Sequence, residues 1–390
     1  MRFSTSFTAA SLTAVALAAP APVSPTATDV TDVYAAEATA LTLSPVSHVK
    51  GKVFDRYVSI WLENTDYAAA AADPTMEALA KKGIKLTNSF AVTHPSEPNY
   101  LSVFGGWRPF RATPSNVSTI ADLLDDKGVS WGVYQEDMPY SGYQGFSWVN
   151  PKTGANDYVR KHNPAIVYNS IANSPEKAAK VKNFTLFNEE LKSNKLPQWL
   201  FITPNMLNDG HDTNVTFDAS WSNTLVHITF DENEDYTIQN QILAVLLGDA
   251  IPKELVGTVD DNYYNHYSEL ATVEANWDLK TLGRWDVGAN VFANVASKTR
   301  DNVRKWNNDD YPAFEKMFFN SSYPGILSTT TWAPQPVPDI HSRRKGRTTL
   351  DSIQDAWPGS DDKNYYHGEL EIPDGMHPPK YPEPFSAYWA

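Results

Sequence analysis

The chain has 390 residues, 42% of them hydrophobic, with 12 Trp, 19 Tyr, 17 Phe and 27 Pro; this suits one large α/β domain or two smaller ones and excludes a disordered chain, a coiled coil or a repeat array. A formal net charge of −14 excludes nonspecific binding to nucleic acid or to an anionic membrane surface, so an anionic ligand must be drawn in locally, by a metal, a helix end or a few cationic side chains. Cysteine is absent, so the core alone must hold the fold.

The first 19 residues, with Arg2, a short apolar run and the small stretch Ala16-Leu17-Ala18, read as a secretory signal peptide. The run is short and diluted by Ser and Thr, which disfavours a membrane anchor. Residues 20–50 are rich in Ala, Thr and Pro and read as a propeptide or flexible arm. Four N-x-S/T sequons, at Asn116, Asn183, Asn214 and Asn320, fit a secreted glycoprotein in the extracellular space or the cell wall.

Structure is expected from Val53 onward. Residues 56–62, RYVSIWL, form a β-branched and aromatic run typical of a buried strand, stopped by Glu63-Asn64-Thr65-Asp66. Asp73-Pro74 opens a helix that Gly83 closes, and residues 84–92 form a second strand. The polar turn around Ser96 then leads into a helix that ends at Gly105-Gly106. A serine there meets free backbone N–H groups and the positive end of the dipole, a cradle for an anion such as phosphate, although in isolation it reads first as a helix cap. A helix over 118–127 and a strand over 129–134 continue a β-α-β rhythm that predicts a parallel sheet.

Residues 138–164 read as irregular and carry the cationic cluster Arg160-Lys161-His162. Residues 174–194 read as one amphipathic helix, 199–203 as a strand running into PNMLNDGHD, 225–230 as a strand ending in Asp231-Glu232, and 242–247 as another. A helix over 263–277 starts near His266. The core is thus placed at residues 51–283. The extension 284–390 is expected to wrap the same domain or to be partly disordered, with Arg343-Arg344-Lys345 as an exposed loop or processing site. The fold class expected is α/β, a mostly parallel central sheet with helices on both faces.

In open α/β sheets, ligands bind beyond the carboxyl ends of the strands. Glu63-Asn64, Ser96, His211 and Asp231-Glu232 each lie just past such an end. Each residue alone reads as a turn residue, cap or loop histidine; their coincidence points to a site.

The run THPSEPNYLSVFGG resembles the nucleophile segment of the phosphoesterase family of fungal secreted acid phosphatases and bacterial phospholipases C, within the alkaline phosphatase superfamily. The strand ending in Glu-Asn, the segment TPNMLNDGHD, and ITFDEN followed by YYNHYS carry the same resemblance, in the same order, over residues 53–283. It implies an alkaline-phosphatase-like fold, Ser96 rather than Ser102 as nucleophile, and a metal held by Glu63, Asn64, Asp231 and Glu232. It also implies Asn99 on a phosphoryl oxygen, and His211 or His266 as proton donor to the leaving group. His94, Lys161 and His162 become candidates for binding the phosphoryl group. Oxygen ligands favour one Mg²⁺, Ca²⁺ or Mn²⁺ over zinc, since the two-zinc relatives place His and Asp where this chain has Glu63-Asn64 and Glu232.

The function expected is a secreted acid phosphatase acting on small phosphomonoesters through a phosphoserine, without nucleic-acid partners or stable membrane insertion. A phosphodiesterase or phospholipase C, and an inactive secreted binding glycoprotein, are the alternatives.

Overall fold

The computed structural model describes residues 24–106, 117–205, 222–301, 303 and 338–358. The expected signal peptide, His211 and the sequons at Asn116, Asn214 and Asn320 lie outside them. Of the segment expected as a propeptide or flexible arm, residues 24–50 pack against the domain. This stretch holds helix α1 (Val30–Glu37), capped by Asp29, whose Oδ1 accepts from Thr31 N. Beyond it, Ser44 Oγ donates to Glu190 and Ser47 Oγ to Gln198 Oε1, while Gln198 Nε2 donates to the Val49 carbonyl. These buried polar partners replace water along the arm, which is why it lies fixed.

Strand β1 (Arg56–Leu62) is followed by helices α2 (Tyr67–Ala72) and α3 (Pro74–Ala80) and by β2 (Ile84–Phe90). Asp73 caps α3 by accepting from the backbone N–H of Thr75 and Met76, with Pro74 at the position that needs no N–H. Helix α4 (Ser96–Gly105) ends on Gly106 at φ 71°, a left-handed conformation that suits glycine. Next come α5 (Ile120–Lys127), β3 (Trp131–Gln135) and the hairpin β4 (Ser147–Val149) and β5 (Asn156–Val159).

The single helix expected over 174–194 is broken. After the short α6 (Asn169–Ala172), α7 (Pro175–Ala178) gives way to a strand, β6 (Val181–Asn183), before α8 (Phe184–Lys192). Two interactions outweigh helix propensity there. β6 pairs with β3, and buried Lys182 reaches Glu190 at 2.8 Å while Glu190 also accepts from Tyr134 Oη. Asn183, which caps α8 by accepting from Leu186 N, was the local signal for the break.

Strands β7 (Trp199–Thr203), β8 (Thr224–Phe230), β9 (Gln241–Leu247), β10 (Thr258–Asp260) and β11 (Tyr264–Asn265) lead to α9 (Tyr267–Trp277) and α10 (Ala293–Thr299). The main sheet runs β10-β2-β9-β8-β1-β7-β3-β6, with β11 also on β2. Every pairing is parallel except those of β9 with β2 and β8. The connection from β8 to β9 carries no helix, so the chain can only turn back. Tyr57 and Trp61 of β1 face a core shared with α4, α5 and α9, whereas Val58, Ile60 and Leu62 face one shared with α2, α3 and α8. Helices therefore cover both faces, and the α/β, mostly parallel class read from the sequence is the class observed.

The described part of the C-terminal extension packs on the same body, through β12 (Arg343–Arg344), β13 (Arg347–Thr348) and α11 (Asp351–Ala356). Arg344 is not the exposed basic residue expected. Its guanidinium is buried, bonded to Asp301 and to the carbonyls of Asp286, Val287 and Ala289. No helix among the described residues is long and apolar enough to cross a membrane.

Between α9 and this extension lies a pair of buried carboxyl groups. Asp286 accepts from Leu282 N and Arg284 N, while the Glu274 oxygens find no donor and face Asp286, to which Glu274 can donate only when protonated. Burial and the Asp286 charge push Glu274 well above the usual carboxylate range, against the pull of Arg347 and Arg344. Glu274 thus binds its proton more tightly folded than unfolded, so the stability it lends is full in acid and is lost as pH climbs above about 4.5. Glu274→Gln imitates the protonated acid. Calorimetry should show the variant melting about 2 °C or more above wild type at pH 8, with little difference at pH 4.

Candidate active site

The register of the sheet assembles the site. Leu62 of β1 lies beside Phe230 of β8, and Asp231 N donates to the Leu62 carbonyl, so Glu63-Asn64 and Asp231-Glu232 emerge side by side. β2 delivers Ser96 to the same edge. Its exit loop is tied to the β8–β9 loop, where Asn240 Nδ2 donates to the Thr93 carbonyl and Ala91 N to the Asn240 carbonyl.

Ser96 occupies the first position of α4 and is 3% exposed. Its Oγ donates to Glu232 Oε1 at 3.2 Å, and Asn99 Nδ2 donates to Glu232 Oε2 at 2.7 Å. Asn99 also donates to the Thr93 carbonyl, and its Oδ1 accepts from Val92 N and Thr93 N. The side chain expected on a phosphoryl oxygen is therefore committed to shaping the turn before Ser96 and holding Glu232.

Behind the serine lies a cluster suited to a cation. One ligand atom each from Glu63, His162 and Asp231 lies within 4.8 Å of the others. His162 arrives on the short turn after β5, with its carbonyl accepting from Thr203 Oγ1 and its ring stacked on Tyr100 at 5.1 Å. Its Nε2 is 3.1 Å from Glu63 Oε2 but out of hydrogen-bond alignment. Asn64 Oδ1 and Asp231 Oδ2 are buried without hydrogen-bond partners. Burial and the charges of Glu232 and Glu63 push Asp231 well above the usual range, and burial raises Glu232 as well. Burial, with Lys161 beside it, keeps His162 neutral, its ligand form.

Two buried acids with half-buried Glu63 beside them, two orphaned oxygens and a neutral imidazole fit a divalent cation, whose charge would remove the repulsion. Sequence reading gave His162 to the phosphoryl group and Glu232 to the metal. The structure puts His162 in the cation cluster and turns Glu232 toward Ser96 and Asn99. Imidazole is a borderline donor, so this set also admits zinc beside Mn²⁺. Lys161 is exposed, and its charge reaches Glu232.

Two histidines take other positions than expected. His94 is buried, donating from Nε2 to the Asn233 carbonyl and accepting at Nδ1 from Asn240, so both nitrogens serve the loops rather than a phosphoryl group. His266 packs on Trp61 at 4.2 Å and donates from Nε2 to the Asp231 carbonyl at 2.7 Å. Burial holds its pKa down to about 4. Neutral and engaged, it braces Asp231. His266→Gln, which can keep that bond, should retain kcat within about tenfold of wild type, whereas loss of a general acid costs roughly 10²–10⁴-fold; initial-rate kinetics decide between them.

Sequence reading missed the support under the site. Glu269 of α9 accepts from Tyr57 Oη, Ser59 Oγ and Trp61 Nε1, with His227 Nδ1 3.2 Å away. Burial would raise Glu269, but these partners more than offset it and hold it below the usual range. An acid in the middle of the apolar YSELATVEANW helix and a serine inside RYVSIWL were the available signals. Asp66 was missed too: its Oδ1 accepts from the backbone N–H of Glu234 and Asp235 and fixes the loop after Glu232.

The chain also matches known proteins. The profile described as Phosphoesterase family matches residues 48–280. The chain is similar to the phosphate-repressible acid phosphatase of Penicillium chrysogenum, 44% identical over 90% of this chain and 86% of that one. It is also similar to acid phosphatases of Aspergillus fumigatus, 46% identical over 82% of this chain and 76% of that one, and of Aspergillus niger, 47% identical over 84% and 83%.

Proposed function

Because the chain belongs to the phosphoesterase family, we propose that it is a phosphoric monoester hydrolase, a secreted acid phosphatase that uses Ser96 as its nucleophile. The observation that carries the reading is the placement of Ser96 at the N-terminus of α4 with its hydroxyl bonded to buried Glu232, beside the Glu63, His162 and Asp231 cluster. Identity of 44–47% to acid phosphatases over most of the chain supports the substrate class.

The backbone N–H groups and dipole at the start of α4 favour a phosphoryl anion against Ser96. Lys161, exposed on its turn, adds positive charge for that anion. Ser96 Oγ attacks phosphorus in line with the ester oxygen, its proton passes to Glu232 Oε1, and the P–O bond to the alcohol breaks. Burial alone raises the proton affinity of Glu232; the charge of a cation held beside it would lower that affinity again and leave the carboxylate able to accept the proton. The alcohol takes up a proton as it departs. Since His266 is engaged with the Asp231 carbonyl, His211 is the remaining candidate of the two donors read from the sequence. Water then hydrolyses the phosphoserine and returns Ser96. A divalent cation held by Glu63, His162 and Asp231, with Asn64 beside them, would supply positive charge to the phosphoryl oxygens.

Hydrolysis of p-nitrophenyl phosphate and of its bis ester, measured from acid to neutral pH with and without chelator, tests the reading. Preference for the monoester in acid, lost on chelation, is expected. Preference for the bis ester would make the protein a phosphodiesterase, and inactivity of the folded protein on both would make it a binding glycoprotein. The secretory reading of residues 1–19 and the sequon at Asn183 are consistent with export; intact mass of the secreted protein before and after glycosidase checks both.

A further inference from the structure

We propose that Tyr236, with Ile238 near it on the loop between β8 and β9, forms a platform at the mouth of the site that selects phosphomonoesters whose alcohol carries a planar ring. The inference rests on the phosphatase reading above and names its substrate class.

The loop is unusually well held for a surface turn. Asp66 Oδ1 accepts from the backbone of Glu234 and Asp235, Asn240 Oδ1 accepts from Asn233 N, and Asp235 Oδ1 accepts from both N and Oγ1 of Thr237. What this frame presents is apolar: Tyr236 is 44% and Ile238 47% exposed. Scattered exposed apolar residues need no explanation; these two sit on a fixed loop that begins at the catalytic acids.

Position ties the platform to the chemistry. The Tyr236 ring lies 4.0 Å from His94, centroid to centroid, and His94 is two residues from Ser96. The charges of Glu232 and Asp231 reach the Tyr236 phenol and, after burial, help to raise it. Ser96, Asp231 and Glu232 are at most 3% exposed, so an ester meets them with its phosphoryl group while its alcohol stays outside, against the rim. On that rim an exposed phenol ring and a branched aliphatic chain offer contact to a ring and nothing specific to a small polyol.

The test uses the full-length enzyme with phenyl phosphate and glycerol 2-phosphate. Tyr236→Leu keeps an apolar cover over His94 while removing the ring. The ratio of kcat/KM for phenyl phosphate to that for glycerol 2-phosphate should fall roughly five- to tenfold, through KM, and Tyr236→Phe should keep the wild-type ratio. An equal loss on both substrates would mean that Tyr236 only supports His94, and an unchanged ratio would mean that the ring is not read; either overturns the platform and leaves the phosphatase reading standing. A wild type inactive on both esters would overturn that reading and the platform with it.

Discussion

Ser96→Ala is expected to lower kcat on p-nitrophenyl phosphate by at least about 10³-fold, the scale at which loss of a covalent nucleophile is felt. The substitution removes one hydroxyl and one bond of 3.2 Å to Glu232, while the bond from Asn99 to the same carboxylate survives. Folding should be untouched, and the melting temperature should stay close to that of wild type. Ser102 cannot stand in. Its Oγ donates to the Asn99 carbonyl within α4, and the residue is fully buried. Single-turnover quenching with labelled substrate adds a second readout, since the wild type should carry phosphate on Ser96 and the variant none. More than about a tenth of wild-type activity in the variant would remove Ser96 from the mechanism.

How far the site was legible follows from what kind of signal each part leaves. Strand ends are marked by a change from apolar run to polar turn, so Glu63, Ser96 and Asp231 could be placed on one edge once the parallel rhythm was read. Which residues then touch is decided by register and by loops, which composition does not encode. His162 joined the cation cluster because the turn after β5 folds back onto Tyr100 and Thr203, contacts far apart in sequence. His94 and His266 looked chemical because histidines near a nucleophile usually do; their burial against carbonyls makes them braces. In the same way β6 was hidden inside an apparently continuous helix, because a buried lysine paired with Glu190 reads in sequence as a surface charge. The packing of residues 24–50 left little trace for a related reason: beside a few apolar contacts through Val33, Tyr34 and Val49, its hold on the domain is made of serine hydroxyls and Gln198, too sparse for a hydrophobic pattern.

Asp231→Asn separates the two roles of the acid cluster, and its effects should run in opposite directions. In chelated wild type, Asp231 is fully buried among the charges of Glu232 and Glu63, a repulsion that its hydrogen bonds from Glu232 N and Ser96 offset only in part. An amide of the same shape removes that repulsion, so the chelated variant should melt above chelated wild type at pH 7. Addition of a cation should reverse the order. A ligand at 100 times its Kd adds about 2.7 kcal/mol of stability to the protein that binds it, and the variant, with one charged donor fewer, should lose most of this gain together with at least about 10²-fold in activity. Melting curves with Mg²⁺, Ca²⁺, Mn²⁺ and Zn²⁺, each against chelator, would also rank the metals. A preference for Mn²⁺ or Zn²⁺ is the signature of His162 in the donor set, whereas Mg²⁺ or Ca²⁺ is what oxygen ligands alone would select. A cation-induced shift that persists undiminished in Asp231→Asn would place the metal away from Glu63, His162 and Asp231, and would leave the crowding of Glu63, Asp231 and Glu232 without a chemical reason.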